Sequence, residues 1–200
     1  MDEEQTLIQA AQRGHMDAFN ELVLIYQNQV YNLAHRIMGD PASAADATQE
    51  TFIVAYRKID TFRGGSFRSW LLRIVSNRCY DELRRRKRRP TTAWEDLGEV
   101  DEDANPILAN GGESPEATVG RWELAEFLQQ AISTLSPEHR VVLVLSDVEG
   151  LSYAEIAAAV DVPVGTVKSR LARARAHLRD RLQAKRELLP AVYRLVGEGQ

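Results

Sequence analysis

The stretch SYAEIAAAVDVPVGTVKSRLARARAHLRDRL, residues 152–182, constrains this chain more than any other. It reads as a short helix over Tyr153–Val160, a turn at Asp161–Val164 and a longer, basic helix. Ala157 and Ala158 are small enough for a second helix to approach closely. Asp161 tolerates the left-handed conformation, and Pro163 stands near the next helix start. Val167, Leu171, Ala174 and Leu178 recur at i, i+4, i+7 and i+11 and form one apolar stripe on the second helix. Thr166, Ser169, Arg170 and Arg173 then point elsewhere. Between Thr166 and Arg186 stand eight Lys/Arg and one acid, Asp180. A helix-turn-helix that lays its basic second helix in the DNA major groove fits this pattern. A helical hairpin with a solvated basic face is the plain alternative.

The charge distribution supports nucleic-acid contact, although the net charge of −4 does not. Residues 1–61 carry four Lys/Arg and nine acids, residues 62–90 ten Lys/Arg and two acids, and residues 91–120 eight acids with no Lys or Arg. Two basic segments separated by an acidic one suggest two contacts and a connector. No apolar run approaches the ~20 residues that span a bilayer. The acidic start lacks a secretory or transit pattern, so a cytoplasmic protein is expected. Cys79 is the only cysteine, which excludes an internal disulfide and a cysteine-cluster zinc site. A small buried residue is the expected role for it.

Taken in order, the chain is helical throughout, and no run alternates with period two. Thr6–Gly14 is a short helix. Asp17 is expected to cap a longer one that runs to about Met38. Asp40-Pro41 signals the next start, a capping carboxylate followed by proline at the first helical position. That helix reaches about Ile59 and carries Asp46 and Glu50 on one face. No histidine or third acid completes a catalytic or metal set there, so the face is either solvated or a docking surface for a basic partner. Gly64-Gly65 makes a turn, and Ser66 caps a helix beginning at Phe67. Phe67, Trp70, Leu71, Ile74 and Val75 can face a core, which leaves Arg68, Arg73, Asn77, Arg78, Tyr80 and Arg84 outside. Cationic side chains interleaved with aromatic and amide groups suit single-stranded DNA. Pro90 ends this helix. Residues 91–120 show little periodicity and read as a flexible acidic linker, ~100 Å long at full extension. A helix is expected to resume at Arg121, and another over Pro137–Ser146. Beyond Leu182, residues 183–200 form an extension broken by Pro190.

The fold class is therefore all-α: two small helical domains, 1–90 and 121–182, joined by linker 91–120, the second with the helix-turn-helix. The first half contains DATQETFIVAYRKIDTFRGGSFRSWLLRIVSNRCYDELRRRKRR. The second contains LSPEHRVVLVLSDVEGLSYAEIAAAVDVPVGTVKSRLARARAHLR. Together, over about residues 5–182, they resemble a bacterial RNA polymerase sigma factor of the extracytoplasmic-function group. The resemblance implies an alternative sigma factor that binds core RNA polymerase, selects −10 and −35 promoter elements and helps to melt them. It implies no enzymatic activity, cofactor, metal or catalytic residue.

By position, the resemblance assigns Asp46, Gln49, Glu50 and Phe52 to docking on the polymerase. Ser43 and Ala45 stand where the family often has further acids. Phe62, Arg63, Ser66, Arg68, Asn77 and Arg84 fall in the segment that opens the −10 element, where an extruded base would be held and the single strand lined. Thr166, Lys168, Ser169, Arg170 and Arg173 fall nearest the groove of duplex −35 DNA. An anti-sigma partner, often membrane-anchored, is implied as well, with no direct membrane insertion by this chain. The acidic linker would thread the polymerase toward its RNA exit path.

Two other readings compete on the residues alone. A stand-alone transcriptional regulator shares the E-I-A…G-T-V-K pattern but leaves residues 40–90 unexplained. A nuclease needs clustered acids or histidines, whereas His15, His35, His139 and His177 are scattered.

Overall fold

The computed structural model describes residues 3–88 and 115–184, the side chains of 115–123 excepted. All described regular elements are helical and fall into two regions. The first holds α1 (Glu3–Gln12), α2 (Met16–Met38), α3 (Pro41–Lys58) and α4 (Phe67–Arg88), with a 3-10 turn over Ile59–Thr61. The second holds α5 (Pro115–Ser133), α6 (Pro137–Leu143), a π-helical turn over Val144–Val148, α7 (Tyr153–Val160) and α8 (Val164–Ala184). Positions 91–114 of the expected linker and 185–200 of the expected extension lie outside the described residues.

Local signals account for most helix ends. Asp40 is extended and its Oδ1 accepts from the Ser43 amide at 2.7 Å, with Pro41 in the first turn of α3. Gly39 ends α2 at φ 87°, a left-handed conformation that glycine adopts without a Cβ penalty, and its amide donates to the His35 carbonyl. Ser152 and Glu155 form a reciprocal capping box on α7. Asp161 closes α7 at φ 51°, ψ 54°, the left-handed conformation expected for it.

Three boundaries differ from expectation. The N-cap of α2 is His15, which makes no side-chain cap bond; Asp17 lies inside the first turn, where its charge faces the positive helix end. Helix α5 begins at Pro115, not Arg121. The Ser114-Pro115 pair is a start signal that the surrounding glycines and acids obscure. The helix expected over Pro137–Ser146 passes into the π-helical turn after Leu143, a widening that no breaker residue announces.

The buried side chains form one continuous core that runs from Ile8 through Phe67, Leu71 and Val75 to Val142, Ile156, Val167 and Leu171. Helix α4 packs against α2 and α3 within its own region and against α6 and α7 of the other. Two buried hydroxyls are satisfied within their helices: Thr51 donates to the Ala47 carbonyl at 2.6 Å and Ser76 to that of Leu72 at 2.5 Å. Cys79 is fully enclosed, and burial pushes its thiol up to about 12, so almost no thiolate exists at neutral pH.

The cap at Asp40 yields a direct expectation. Burial works against its charge, yet the Ser43 hydrogen bonds and the Arg86 guanidinium outweigh it and hold the carboxyl below its ordinary pKa. Asp40→Ala should lower stability by about 1 kcal/mol, read by denaturant melts. Because the folded-state pKa is depressed, the contribution of Asp40 is present above its unfolded pKa. It is lost as pH falls through the folded value, so wild type and variant should converge in acid.

Candidate nucleic-acid interface

Helix α8 presents its stripe inward and its cations outward. Val167, Leu171 and Ala174 are buried and Leu178 half-buried, as the spacing predicts. On the other side Lys168, Ser169 and Arg173 are exposed, while Thr166 and Arg170 are half-buried at the margin. Arg175 stands nearer the stripe, where it makes a two-point ion pair with Asp147 of the π-helical turn at 2.6 and 3.0 Å. The open face of α8 is thus left to Lys168, Ser169 and Arg173. His139, at the start of α6, senses this field: burial first, then the cations Arg173 and Arg170 keep its pKa below the ordinary value despite Glu138.

Helix α4 carries the second basic surface. Arg73, Asn77, Tyr80 and Arg84 recur at i, i+4, i+7 and i+11. Arg73 and Arg84 are exposed, Asn77 and Tyr80 half-buried. The Arg84 guanidinium lies over the Tyr80 ring, 5.4 Å from its centre. A planar cation on an aromatic face makes a flat, charged shelf of the kind nucleobases stack on.

The loop before α4 rests on an aromatic cluster. Phe62, Phe67 and Trp70 contact one another at ring separations of 5.4–5.6 Å, and Tyr26 joins Phe67 from α2 at 5.6 Å. Phe62 is only 6% exposed, so it supports the 62–66 loop from beneath. Ser66 caps α4 through the Ser69 amide at 3.1 Å. Gly64 and Gly65 have φ of 101° and 87°, so the loop between Arg63 and Ser66 takes a course that glycine favours.

Of the −10 candidates, the structure brings Asn77 and Arg84 onto one strip and places exposed Arg63 and Ser66 in the adjoining loop. It does not bring Arg68 there. Arg68 turns to the opposite flank of α4, where it donates to the Glu149 carboxylate at 2.7 Å and to the Glu149 carbonyl at 3.2 Å. Arg73 and Tyr80, which the helical spacing places outside but the resemblance does not assign, lie on the same strip. Sequence reasoning also missed Gln12, whose amide donates to the carbonyls of Ile59 and Phe62 at 3.0 and 2.9 Å and ties α1 to the start of the loop. No local pattern reveals a partner 47–50 residues away. Gln12→Ala should cost about 1–2 kcal/mol for the two lost bonds. Faster amide exchange in the 59–66 segment, measured by mass spectrometry, would register the loosening.

A third surface is acidic. Asp46, Gln49 and Glu50 are exposed on one face of α3, with Ile53 one turn on and 43% exposed. Phe52 sits at the margin, half-buried. Glu50 pairs with Arg78 of α4. Among the described residues, no group of three or more His, Cys, Asp or Glu could hold a metal ion, and no helix is long and apolar enough to cross a membrane.

Comparison with known proteins assigns the two regions. Sigma-70 region 2 matches residues 22–89, and sigma-70 region 4 matches residues 127–178. The RNA polymerase sigma-H factor of Pseudomonas aeruginosa is 40% identical over 187 residues, covering 91% of this chain and 95% of that protein. The chain belongs to the extracytoplasmic-function sigma factors of the sigma-70 family. The sigma factor SigE of Mycolicibacterium smegmatis is 42% identical over 169 residues, and the chain spans 62% of that longer protein. Among solved structures, CnrH in complex with the cytosolic domain of CnrY matches with a TM-score of 0.63 at 26% identity, over 92% of this chain and 99% of that one. The sigma factor RpoE of Bartonella quintana, in complex with the anti-sigma factor NepR, matches with a TM-score of 0.61 at 26% identity, over 84% of this chain and 98% of that one. As an alternative sigma factor, the chain directs transcription initiation through core RNA polymerase and promoter recognition, and it is not an enzyme.

Proposed function

We propose that the two basic surfaces divide promoter recognition between them. The observation that carries this reading is the open, cationic face of α8 over a stripe buried at Val167, Leu171 and Ala174, on a helix entered through the tight turn at Asp161. Helices α7 and α8 act as a helix-turn-helix, and α8 reads duplex −35 DNA with Lys168, Ser169 and Arg173 nearest the base edges. Thr166 and Arg170 contact the flanking phosphates. Arginine forks onto guanine edges, and hydroxyls donate to phosphate oxygens.

The strip of Arg73, Asn77, Tyr80 and Arg84, with Arg63 and Ser66, follows the single non-template strand of the −10 element. A base extruded there costs a few kcal/mol to unstack, which stacking on aromatic and guanidinium planes offsets. The acidic face of α3 docks on a basic surface of core polymerase through Asp46, Gln49, Glu50 and Phe52, with Ile53 adding apolar contact. Residues 1–90 and 121–182 act as the two functional units, and the acidic 91–120 stretch threads the polymerase between them. The protein works in the cytoplasm, and an anti-sigma protein holds it until a signal arrives, as the NepR complex of the Bartonella relative suggests.

Arg173→Ala should weaken −35 binding by about 1–3 kcal/mol and relax the preference at one base position. Reconstituted holoenzyme, footprinted on a promoter and selected against a randomised −35 element, tests this. Unchanged protection together with unchanged preference would remove Arg173 from the groove.

A further inference from the structure

The last turns of α4 carry an unbroken run of cations from Arg84 to Arg88, yet the structure does not leave all of that charge to DNA. Arg84 lies over Tyr80 and belongs to the strip described above. Its two neighbours do not. Arg85 donates to both carboxylate oxygens of Glu82, at 2.8 and 2.9 Å. Arg86 donates to Glu82 at 3.0 Å, to Asp40 at 3.2 Å and to the Ser43 hydroxyl. One carboxylate thus holds two guanidinium groups.

Glu82 precedes Arg84 by two residues, about 200° round the helix. It therefore stands on the side of α4 turned away from the strip, and the Arg86–Asp40 pair shows that this side faces the start of α3. The Glu82 side chain is 30% exposed and that of Arg85 68%. The Arg85 hydrogen bonds, with Arg86 behind them, outweigh burial and hold the Glu82 carboxyl below its ordinary pKa, so it is ionised at neutral pH. Pairs at i,i+3 and i,i+4 on an exposed helix add little to stability. Their consequence lies in DNA binding. A phosphate must displace Glu82 before either arginine can neutralise it, and the displaced carboxylate then repels the strand. Free arginines in the same place would grip any phosphate backbone, because such contacts carry no sequence information.

We propose that Glu82 is a specificity-determining residue, which withholds Arg85 and Arg86 from DNA and so limits binding at non-promoter sequence. The inference rests on the promoter reading above. A promoter competes with the many non-specific sites of a genome, so a weaker sequence-independent attraction raises discrimination without any new base contact. Glu82 touches neither base nor phosphate and acts through the two arginines, while Arg73 and Arg84 remain open to the −10 strand.

The experiment titrates the full chain against a fluorescein-labelled duplex of non-promoter sequence over about 50–200 mM salt. Glu82→Gln keeps the shape of the side chain and removes its charge. It should tighten binding about threefold or more at the low-salt end and steepen the plot of log K against log salt by about 1–2, as one or two added phosphate contacts would. Arg85→Gln in the parent should leave both quantities unchanged, because that cation is already engaged. In the Glu82→Gln chain the same change should remove about half of the gain. Holoenzyme carrying Glu82→Gln should lose about threefold or more of its preference for promoter over non-promoter fragments. A Glu82 that only stabilises the helix would shift the melting temperature and leave slope and preference at the parent's values, which overturns the proposal. A shallower slope for Arg85→Gln in the parent overturns it as well. Circular-dichroism melts accompany each variant; if Glu82→Gln unfolds the chain, Arg85→Gln in the parent decides alone. Run-off transcription by the parent holoenzyme judges the sigma reading separately, so either can fail without the other.

Discussion

Replacing Asp46 and Glu50 together with lysine is expected to abolish co-purification with core RNA polymerase while leaving the chain folded. The two exposed carboxylates lie one turn apart on α3, so the double change moves four units of charge on one small face. Like charges set against a basic partner cost several kcal/mol, which corresponds to at least a hundredfold loss of affinity. The fold should tolerate it. The Glu50–Arg78 pair joins side chains 52% and 44% exposed, and such surface pairs contribute at most about 1 kcal/mol. Co-purification that survives the double change in a folded protein would place the docking surface elsewhere.

Arg140→Ala carries the largest expected effect on stability. Among the described residues the guanidinium has no carboxylate partner; it donates to the carbonyls of Ile37 and Ser133, at the ends of α2 and α5, and of Leu135 just beyond α5. The negative ends of helices thus stand in for an anion. Burial lowers the pKa of Arg140, but an arginine remains charged at any ordinary pH. Truncation removes charge-assisted bonds and leaves buried carbonyls unpaired, for an expected loss of about 2–4 kcal/mol. In a chain of this size that lowers the melting temperature by roughly 5–15 °C. Arg140→Lys should recover less than half, because one ammonium cannot reach carbonyls that a planar fork spans. A loss below about 1 kcal/mol for the alanine variant would show that water replaces the guanidinium.

What the sequence made legible was local. Asp40-Pro41, Ser66, Asp161 and the stripe through Val167, Leu171 and Ala174 are each decided within a few residues by capping, backbone conformation or helical period. They appear in the structure where the residue pattern puts them. The acidic face of α3 was legible too, because positions 46, 49 and 50 share a side of any helix.

The rest depends on partners far along the chain. Arg68 looks like its neighbours Arg73 and Arg84 in sequence, yet it lies on the flank that meets Glu149, 81 residues away. Arg140 reaches Ile37 across 103 residues. Periodicity says which residues share a helix face; it does not say which of two exposed faces a second region will cover. That is why the outer residues of α4 look alike in sequence, although Arg68 faces Glu149 and Arg73, Asn77, Tyr80 and Arg84 share the other side. The π-helical turn is illegible for a related reason: nothing in VLSDV forbids an α-helix, and its partners, Arg175 for Asp147 and Arg68 for the Glu149 that follows, lie far along the chain.

The central claim is that this chain, bound to core polymerase, selects promoters through two separated surfaces. Run-off transcription with core polymerase and genomic DNA, with start sites mapped, tests it most directly. The account predicts start sites that depend on the added chain, share two upstream motifs at −10 and −35, and disappear with the Asp46→Lys, Glu50→Lys variant. Start sites identical with and without the chain, or tight binding of promoter duplex by the chain alone with no effect on initiation, would contradict it.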